Sequence, residues 1–183
     1  HNTSSTGSLT SSSFEAQVTF AAASKAFRLQ TGDLDGDGKV DIAVADYVGK
    51  VLSVFRNTST AGSITAGSFA GRVDFAAGNG PHGIAMGDFN GDGKLDVWVA
   101  NYEDNTISVF RNISSVGVID SISFASRVNY STGSGPRDPA IADLDLDGKP
   151  DIVVVNQTSG SLSVFRNLVP PPPPVVTTVS PAT

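Results

Sequence analysis

The chain has 183 residues, 18 of them acidic and 12 basic, for a formal net charge of −6, with no cysteine and two histidines. The lack of cysteine excludes disulfides, thiolate nucleophiles and zinc–cysteine or iron–sulfur sites. His82 is the only internal histidine, which leaves a Ser/His/Asp triad or a histidine-based metal site almost nothing to work with. No apolar run reaches the roughly 20 residues of a membrane span, and an acidic chain is a poor partner for a phosphate backbone.

From its first residues the chain is periodic. Asn2 stands 55 residues before Asn57, so residues 1–13 read as the end of a preceding repeat, and the sequence is expected to open part-way through a larger array. Three repeats follow, at 14–68, 69–123 and 124–169. The pentapeptide S-V-F-R-N recurs at 53–57, 108–112 and 163–167, and Phe14, Phe69 and Phe124 each follow a serine at the same interval. A fixed period without insertions is the mark of a stacked-unit architecture.

Within the middle repeat the pattern is that of strands. Residues 69–75 alternate, 83–88 lead into an acidic loop, 95–100 leave it, and 106–112 follow a polar turn at 101–105. Four short strands predict one antiparallel sheet per repeat, too small to bury both faces alone, so the fold class is all-β with four-stranded propeller-type blades. Connectors at 58–68 and 113–123 are expected to be exposed loops. A second register is open, in which the strand beginning at Phe14, Phe69 or Phe124 is the outer strand of the preceding blade. Three blades do not close a ring, since propellers use four or more. The parent protein then supplies further blades, or copies complement one another head to tail into a ring or fibre. After Asn167 the pattern breaks: 170–174 is five consecutive prolines, a polyproline II spacer, and 175–183 reads as the start of a further β-domain.

The acid is concentrated in three loops, D-L-D-G-D-G-K-V-D at 33–41, D-F-N-G-D-G-K-L-D at 88–96 and D-L-D-L-D-G-K-P-D at 143–151, which hold eleven of the 18 acidic residues. Oxygen side chains fall at positions 1, 3, 5 and 9, and a main-chain carbonyl at position 7 can add another. The predicted ligands are Asp33, Asp35, Asp37, Lys39 and Asp41; Asp88, Asn90, Asp92, Lys94 and Asp96; and Asp143, Asp145, Asp147, Lys149 and Asp151, with the lysines acting through their carbonyls. Hard oxygen donors on a flexible loop suit Ca²⁺, about one ion per repeat. The loops are not EF-hands, because position 12 holds Val44, Val99 or Val154 and a β-branched strand follows. Asn90 lowers the charge of the middle loop, and Leu146 and Pro150 set the third apart.

The run G-P-H-G-I-A-M-G-D-F-N-G-D-G-K-L-D-V-W-V-A-N at 80–101, followed by N-T-I-S-V-F-R-N at 105–112, resembles the FG-GAP-like (VCBS-type) repeat. That repeat is similar to the calcium-binding blades of the integrin alpha-subunit propeller and occurs in bacterial surface proteins. The resemblance covers about 14–167 and implies a propeller, usually of seven blades, with Ca²⁺ in a hairpin loop of each motif-bearing blade. The tail resembles the start of an IPT/TIG-type immunoglobulin-like domain.

The expected function is a non-catalytic calcium-binding propeller segment of a secreted or cell-surface bacterial protein, acting in adhesion or extracellular scaffolding. Its expected partners are a protein or glycan ligand at the cell surface and neighbouring blades, with no nucleic acid and no membrane span. Two other readings are a calcium-dependent lectin-like propeller and an accessory module of a polysaccharide-degrading enzyme. Paired carboxylates could serve a glycosidase, but almost every close Asp pair lies inside a metal loop. Trp98 aligns with Ala43 and Val153 and is expected in the core between blades. His82 aligns with Phe27 and Arg137, positions that vary while the scaffold repeats and where a ligand could be read, as are 103–105 and their equivalents. Sequons at Asn2, Asn57, Asn112, Asn129 and Asn156 are expected by chance in so Ser/Thr-rich a chain.

Overall fold

The computed structural model describes residues 6–22 and 24–170. The segment 175–183 and most of the proline run lie outside the described residues. The described chain forms eleven strands and no helix: β1 Ala26–Gly32, β2 Asp41–Asp46, β3 Val51–Phe55, β4 Val73–Ala76, β5 Pro81–Gly87, β6 Asp96–Asn101, β7 Thr106–Phe110, β8 Val128–Ser131, β9 Pro136–Ala142, β10 Asp151–Asn156 and β11 Ser161–Phe165. They make three antiparallel sheets, β1-β2-β3-β4, β5-β6-β7-β8 and β9-β10-β11. These are blades 1, 2 and 3.

The sheets of blades 1 and 2 cut across the sequence repeat. β4 lies in the second repeat yet pairs with β3, placing Leu52 opposite Phe75 and Val54 opposite Val73. β8 joins β7 in the same register one repeat later. The expectation that one repeat's four strands form one sheet is therefore corrected in favour of the second register. The connectors give the reason. The Thr58 amide donates to the Ser68 carbonyl at 2.9 Å and the Ile113 amide to the Ser123 carbonyl at 2.9 Å, with bridges Asn57–Phe69 and Asn112–Phe124 beside them. A connector zipped at its base returns the chain alongside the strand it has just left. The connectors are thus not simply exposed loops: Ser68, Ser114 and Ser123 are buried.

Apolar residues of the middle strands supply the core. Leu34, Ala43, Leu52, Val54, Phe75, Ile84, Val97, Val99, Phe110 and Phe124 fill the seam between blades 1 and 2. Trp98, Phe89, Ile107, Ile152 and Val154 lie in the seam between blades 2 and 3. Trp98 is buried, 5.1 Å from Phe89 and stacked on Tyr130 at 5.8 Å, as expected of a packing residue.

The inner strands β1, β5 and β9 run side by side, and β5 meets β9 closely at Gly83. A Cβ there would stand 2.5 Å from the Arg137 carbonyl oxygen and 2.7 Å from the Asp138 Cα. Backbone cannot swing aside as a flexible side chain does, so Gly83→Ala is expected to destabilise by about 2 kcal/mol or more. Chemical denaturation checks this, and an unchanged midpoint would show that the blades separate freely at the axis.

Candidate metal centres

Each acidic loop joins an inner strand to a middle strand, and the three fold alike. Position 1 accepts the same two amides in each loop: Asp37 and Gly38 donate to Asp33 at 3.2 and 2.9 Å, Asp92 and Gly93 to Asp88 at 3.1 and 2.8 Å, and Asp147 and Gly148 to Asp143 at 3.1 and 2.9 Å, with Asp88 also accepting the Gly91 amide at 2.8 Å. The amides of Lys39, Lys94 and Lys149 donate to the position 5 carboxylates at 2.9, 3.0 and 3.0 Å. These bonds curl the backbone so that positions 1, 3 and 5 converge. Carboxylate oxygens of Asp33, Asp35 and Asp37 lie within 4.8 Å of one another, as do those of Asp143, Asp145 and Asp147. In the middle loop Asn90 replaces one carboxylate and donates to Asp92 at 2.9 Å.

Position 4 requires a left-handed residue. Gly36 and Gly91 adopt φ of 70° and 74°, and Leu146 is held at 62° in the same loop. The fold overrides the side chain here, at a cost of about 1–2 kcal/mol.

Position 9 takes a different place from the other three. Asp41, Asp96 and Asp151 are buried at the foot of β2, β6 and β10. Asp41 accepts the Leu34 amide at 2.9 Å and the Asn57 amide at 2.7 Å. Asp96 accepts those of Phe89 and Asn112, at 3.4 and 2.8 Å, and Asp151 those of Leu144 and Asn167, at 3.0 and 2.8 Å. Both oxygens of each thus tie the loop's second residue to the end of S-V-F-R-N.

Burial pushes Asp96 up to about 6, against the pull of the Asn112 and Phe89 amides and with help from Asp92 and Asp88. Burial raises Asp41 as well. Asp151 is instead held low by the Asn167 and Leu144 amides, with Arg166 assisting; blade 3 carries no further blade against it among the described residues.

Arginine is a participant that spacing alone did not reveal. Arg56 donates from Nε to Asp35 and from Nη2 to Asp37 at 3.0 Å, and Arg166 does the same to Asp145 and, at 3.1 Å, to Asp147. Against the cost of its own burial, the Lys39 amide and the Arg56 guanidinium hold Asp37 below the usual carboxylate range. The identical position of arginine in all three S-V-F-R-N segments was the available signal. The loops are also tied to the next blade. The Leu34 carbonyl accepts from Asn112 Nδ2 at 2.8 Å and Ser114 Oγ at 2.9 Å, and the Asp35 carbonyl accepts the Gly117 amide at 3.0 Å. Asn167 Nδ2 donates likewise to the Phe89 carbonyl at 2.9 Å.

The variable positions gather at one end of the inner strands. Phe27 lies 4.6 Å from His82, the Arg137 guanidinium sits 5.1 Å over Tyr102, and Tyr47 donates to Glu103 at 2.6 Å. His82 is buried with neither ring nitrogen hydrogen-bonded. Of the sequons, Asn112 and Asn156 are fully buried with their amide nitrogens engaged.

Two outcomes follow from the loop geometry. Leu146→Gly relieves the left-handed strain and is expected to stabilise the metal-free chain by about 1 kcal/mol, less than the full strain because glycine loses more backbone entropy on folding; a shift of the denaturation midpoint to higher denaturant checks it. Asp96, with its folded pKa above the unfolded value, contributes stability that is complete below about pH 4 and lost as pH rises through about 6. Without metal, the stability difference between wild type and Asp96→Asn should therefore shrink from about pH 4 to pH 7. A difference that grows over that range contradicts the assignment.

Set beside known sequences, the chain matches no curated protein. The family model of the FG-GAP-like repeat matches twice, at residues 33–99 and 88–154. Each match runs from the first aspartate of one loop to the middle strand beyond the next, so the two share a loop and step by the 55-residue period. Together they span two thirds of the chain, and it belongs to the FG-GAP-like repeat family.

Proposed function

We propose that the three loops bind Ca²⁺ and that the chain is a non-catalytic, calcium-stabilised propeller segment of a secreted or cell-surface protein, acting in adhesion or extracellular scaffolding. The observation that carries the reading is the convergence of three carboxylates within 4.8 Å on the same curled backbone in the first and third loops. The donors are all oxygen, which fits a hard cation, and like charges so close repel strongly in its absence. Asp33, Asp35, Asp37 and the Lys39 carbonyl would hold the ion in blade 1, with Asp41 beneath them fixing the loop. The corresponding residues are Asp88, Asn90, Asp92, Lys94 and Asp96 in blade 2, and Asp143, Asp145, Asp147, Lys149 and Asp151 in blade 3. The cation would supply charge neutralisation and nothing else.

The consequence is mechanical. Leu34, Asp35 and Phe89 lie within the loops, and their carbonyls carry the next blade. Ordering a loop therefore orders a seam. Millimolar Ca²⁺ is an extracellular condition, and weak sites suffice there. The cluster of Phe27, Tyr47, His82, Tyr102, Glu103 and Arg137 at the axial end offers mixed aromatic and charged chemistry to a protein or glycan ligand. It is assembled from positions that differ between repeats while the loops stay constant.

At millimolar Ca²⁺ and a Kd of roughly 10⁻⁴ M, each site would add about 1.4 kcal/mol, or about 4 kcal/mol for three. EGTA is then expected to lower Tm by about 10 °C. Titration calorimetry should count about three ions, with the middle site weakest and strengthened by Asn90→Asp. A melt that excess EGTA leaves unmoved removes the calcium reading.

A further inference from the structure

Among the described residues blade 3 has three strands where blades 1 and 2 have four, and the chain carries a further copy of the sequence that forms the fourth. Residues 13–22 read S-F-E-A-Q-V-T-F-A-A, against S-F-A-G-R-V-D-F-A-A at 68–77 and S-F-A-S-R-V-N-Y-S-T at 123–132, which contain β4 and β8. No described strand includes 13–22. At 168–178, where a connector should lead to a fourth strand for blade 3, the repeat is interrupted by five prolines, which have no amide to donate.

We propose that residues 10–22 of a second copy of this chain dock as the fourth strand of blade 3, joining copies head to tail. Three sets of observations carry this. The acceptor edge is open: Leu52 and Ile107 are fully buried in blades 1 and 2, whereas their equivalent Leu162 is 67% exposed. Between blades 2 and 3 lies a cleft of about 1030 Å³, lined by Trp98, Val109, Val128, Tyr130, Ile152 and Phe165 among others. At the matching place between blades 1 and 2, Phe124 is buried, 4.8 Å from Phe75 and 6.2 Å from Phe110. The corresponding rings, Tyr130 and Phe165, face each other at 5.9 Å.

The donor is preformed. Phe14, the equivalent of Phe124, is 62% exposed. Its approach already has the turn found before the other two phenylalanines: the Thr10 amide donates to Ser13 Oγ at 2.8 Å, as Thr65 does to Ser68 and Asp120 to Ser123, each at 2.8 Å. The segment also stands in the right place relative to blade 1. Phe20 meets Phe69 edge to face at 5.1 Å, as Phe75 meets Phe124. A partner's blade 3 arriving there would meet the face that carries Leu29, 58% exposed where its equivalent Ile84 is 4%.

Repeating the observed pairing of β3 with β4 sets the register: Leu162 opposite Phe20, Ser163 opposite Thr19 and Val164 opposite Val18, with Phe14 entering the cleft. Main-chain bonds would give the affinity and the phenylalanine the register.

The test uses the whole chain in excess Ca²⁺ with a synthetic peptide of residues 10–22. Trp98, the only tryptophan, lines the cleft and reports occupancy by fluorescence. The expected result is a saturable change that Phe14→Asp in the peptide weakens at least about tenfold. Sedimentation of the chain alone should show mass rising with concentration, reduced by free peptide and by Phe14→Asp in the chain, whose exposed position leaves folding intact. A mass that stays that of one chain at high concentration overturns the proposal, as does association that persists in Phe14→Asp or a fluorescence response that the substituted peptide reproduces.

Discussion

The structure hangs on one buried carboxylate per blade. Asp41, Asp96 and Asp151 sit where the acidic loop becomes the middle strand, and each spends its two oxygens on amides 23 residues apart in sequence, such as Leu34 and Asn57. An apolar residue there would leave two buried donors unpaired. The loop above is thereby fixed to the sheet before any cation is considered. The converging aspartates stand on that floor.

From this arrangement comes a chain of dependence running in one direction. The loop of blade 1 offers its Leu34 and Asp35 carbonyls to the connector of blade 2, and the loop of blade 2 offers Phe89 to Asn167 beyond blade 3. Charge chemistry at a loop and packing at a seam are therefore one problem. The guanidiniums of Arg56 and Arg166 partly offset the carboxylate repulsion in the first and third loops. The middle loop, one carboxylate short, has the neutral Asn90 at that place, and its Lys94 turns instead to the Ser114 carbonyl at 2.6 Å.

Much of this was legible in the sequence, because an unbroken 55-residue period lets weak signals be read three times. The strands, the loops and the buried place of Trp98 followed from that. The hydrogen bonds of position 9 were less visible: a spaced aspartate looks the same in sequence whether or not its oxygens also accept buried amides. The docking of 114–117 on the loop of blade 1 was hidden because Ser, Val and Gly read as surface residues when the surface they cover is unknown. The strand offset was legible only as a choice between two registers. What decides it is a connector zipped at its base, Thr58 to Ser68, which no residue pattern announces. Leu146 looked like a departure of the third loop from the others, yet its backbone follows theirs, because the surrounding hydrogen bonds outweigh one side chain's preference.

The offset between sheet and repeat also bears on how such an array can change length. Blades 1 and 2 each take their outer strand from the following 55 residues, so removal or duplication of one period, with breakpoints anywhere within it, rejoins a strand to an edge of matching register. The outer strands differ in side chains, as β4 and β8 do with Asp74 and Asn129, but each accepts from the same serine hydroxyl, Ser53 at 2.6 Å and Ser108 at 2.9 Å. Recombination between repeats thus has no privileged boundary in this fold. Blade number is free to drift while each seam is preserved.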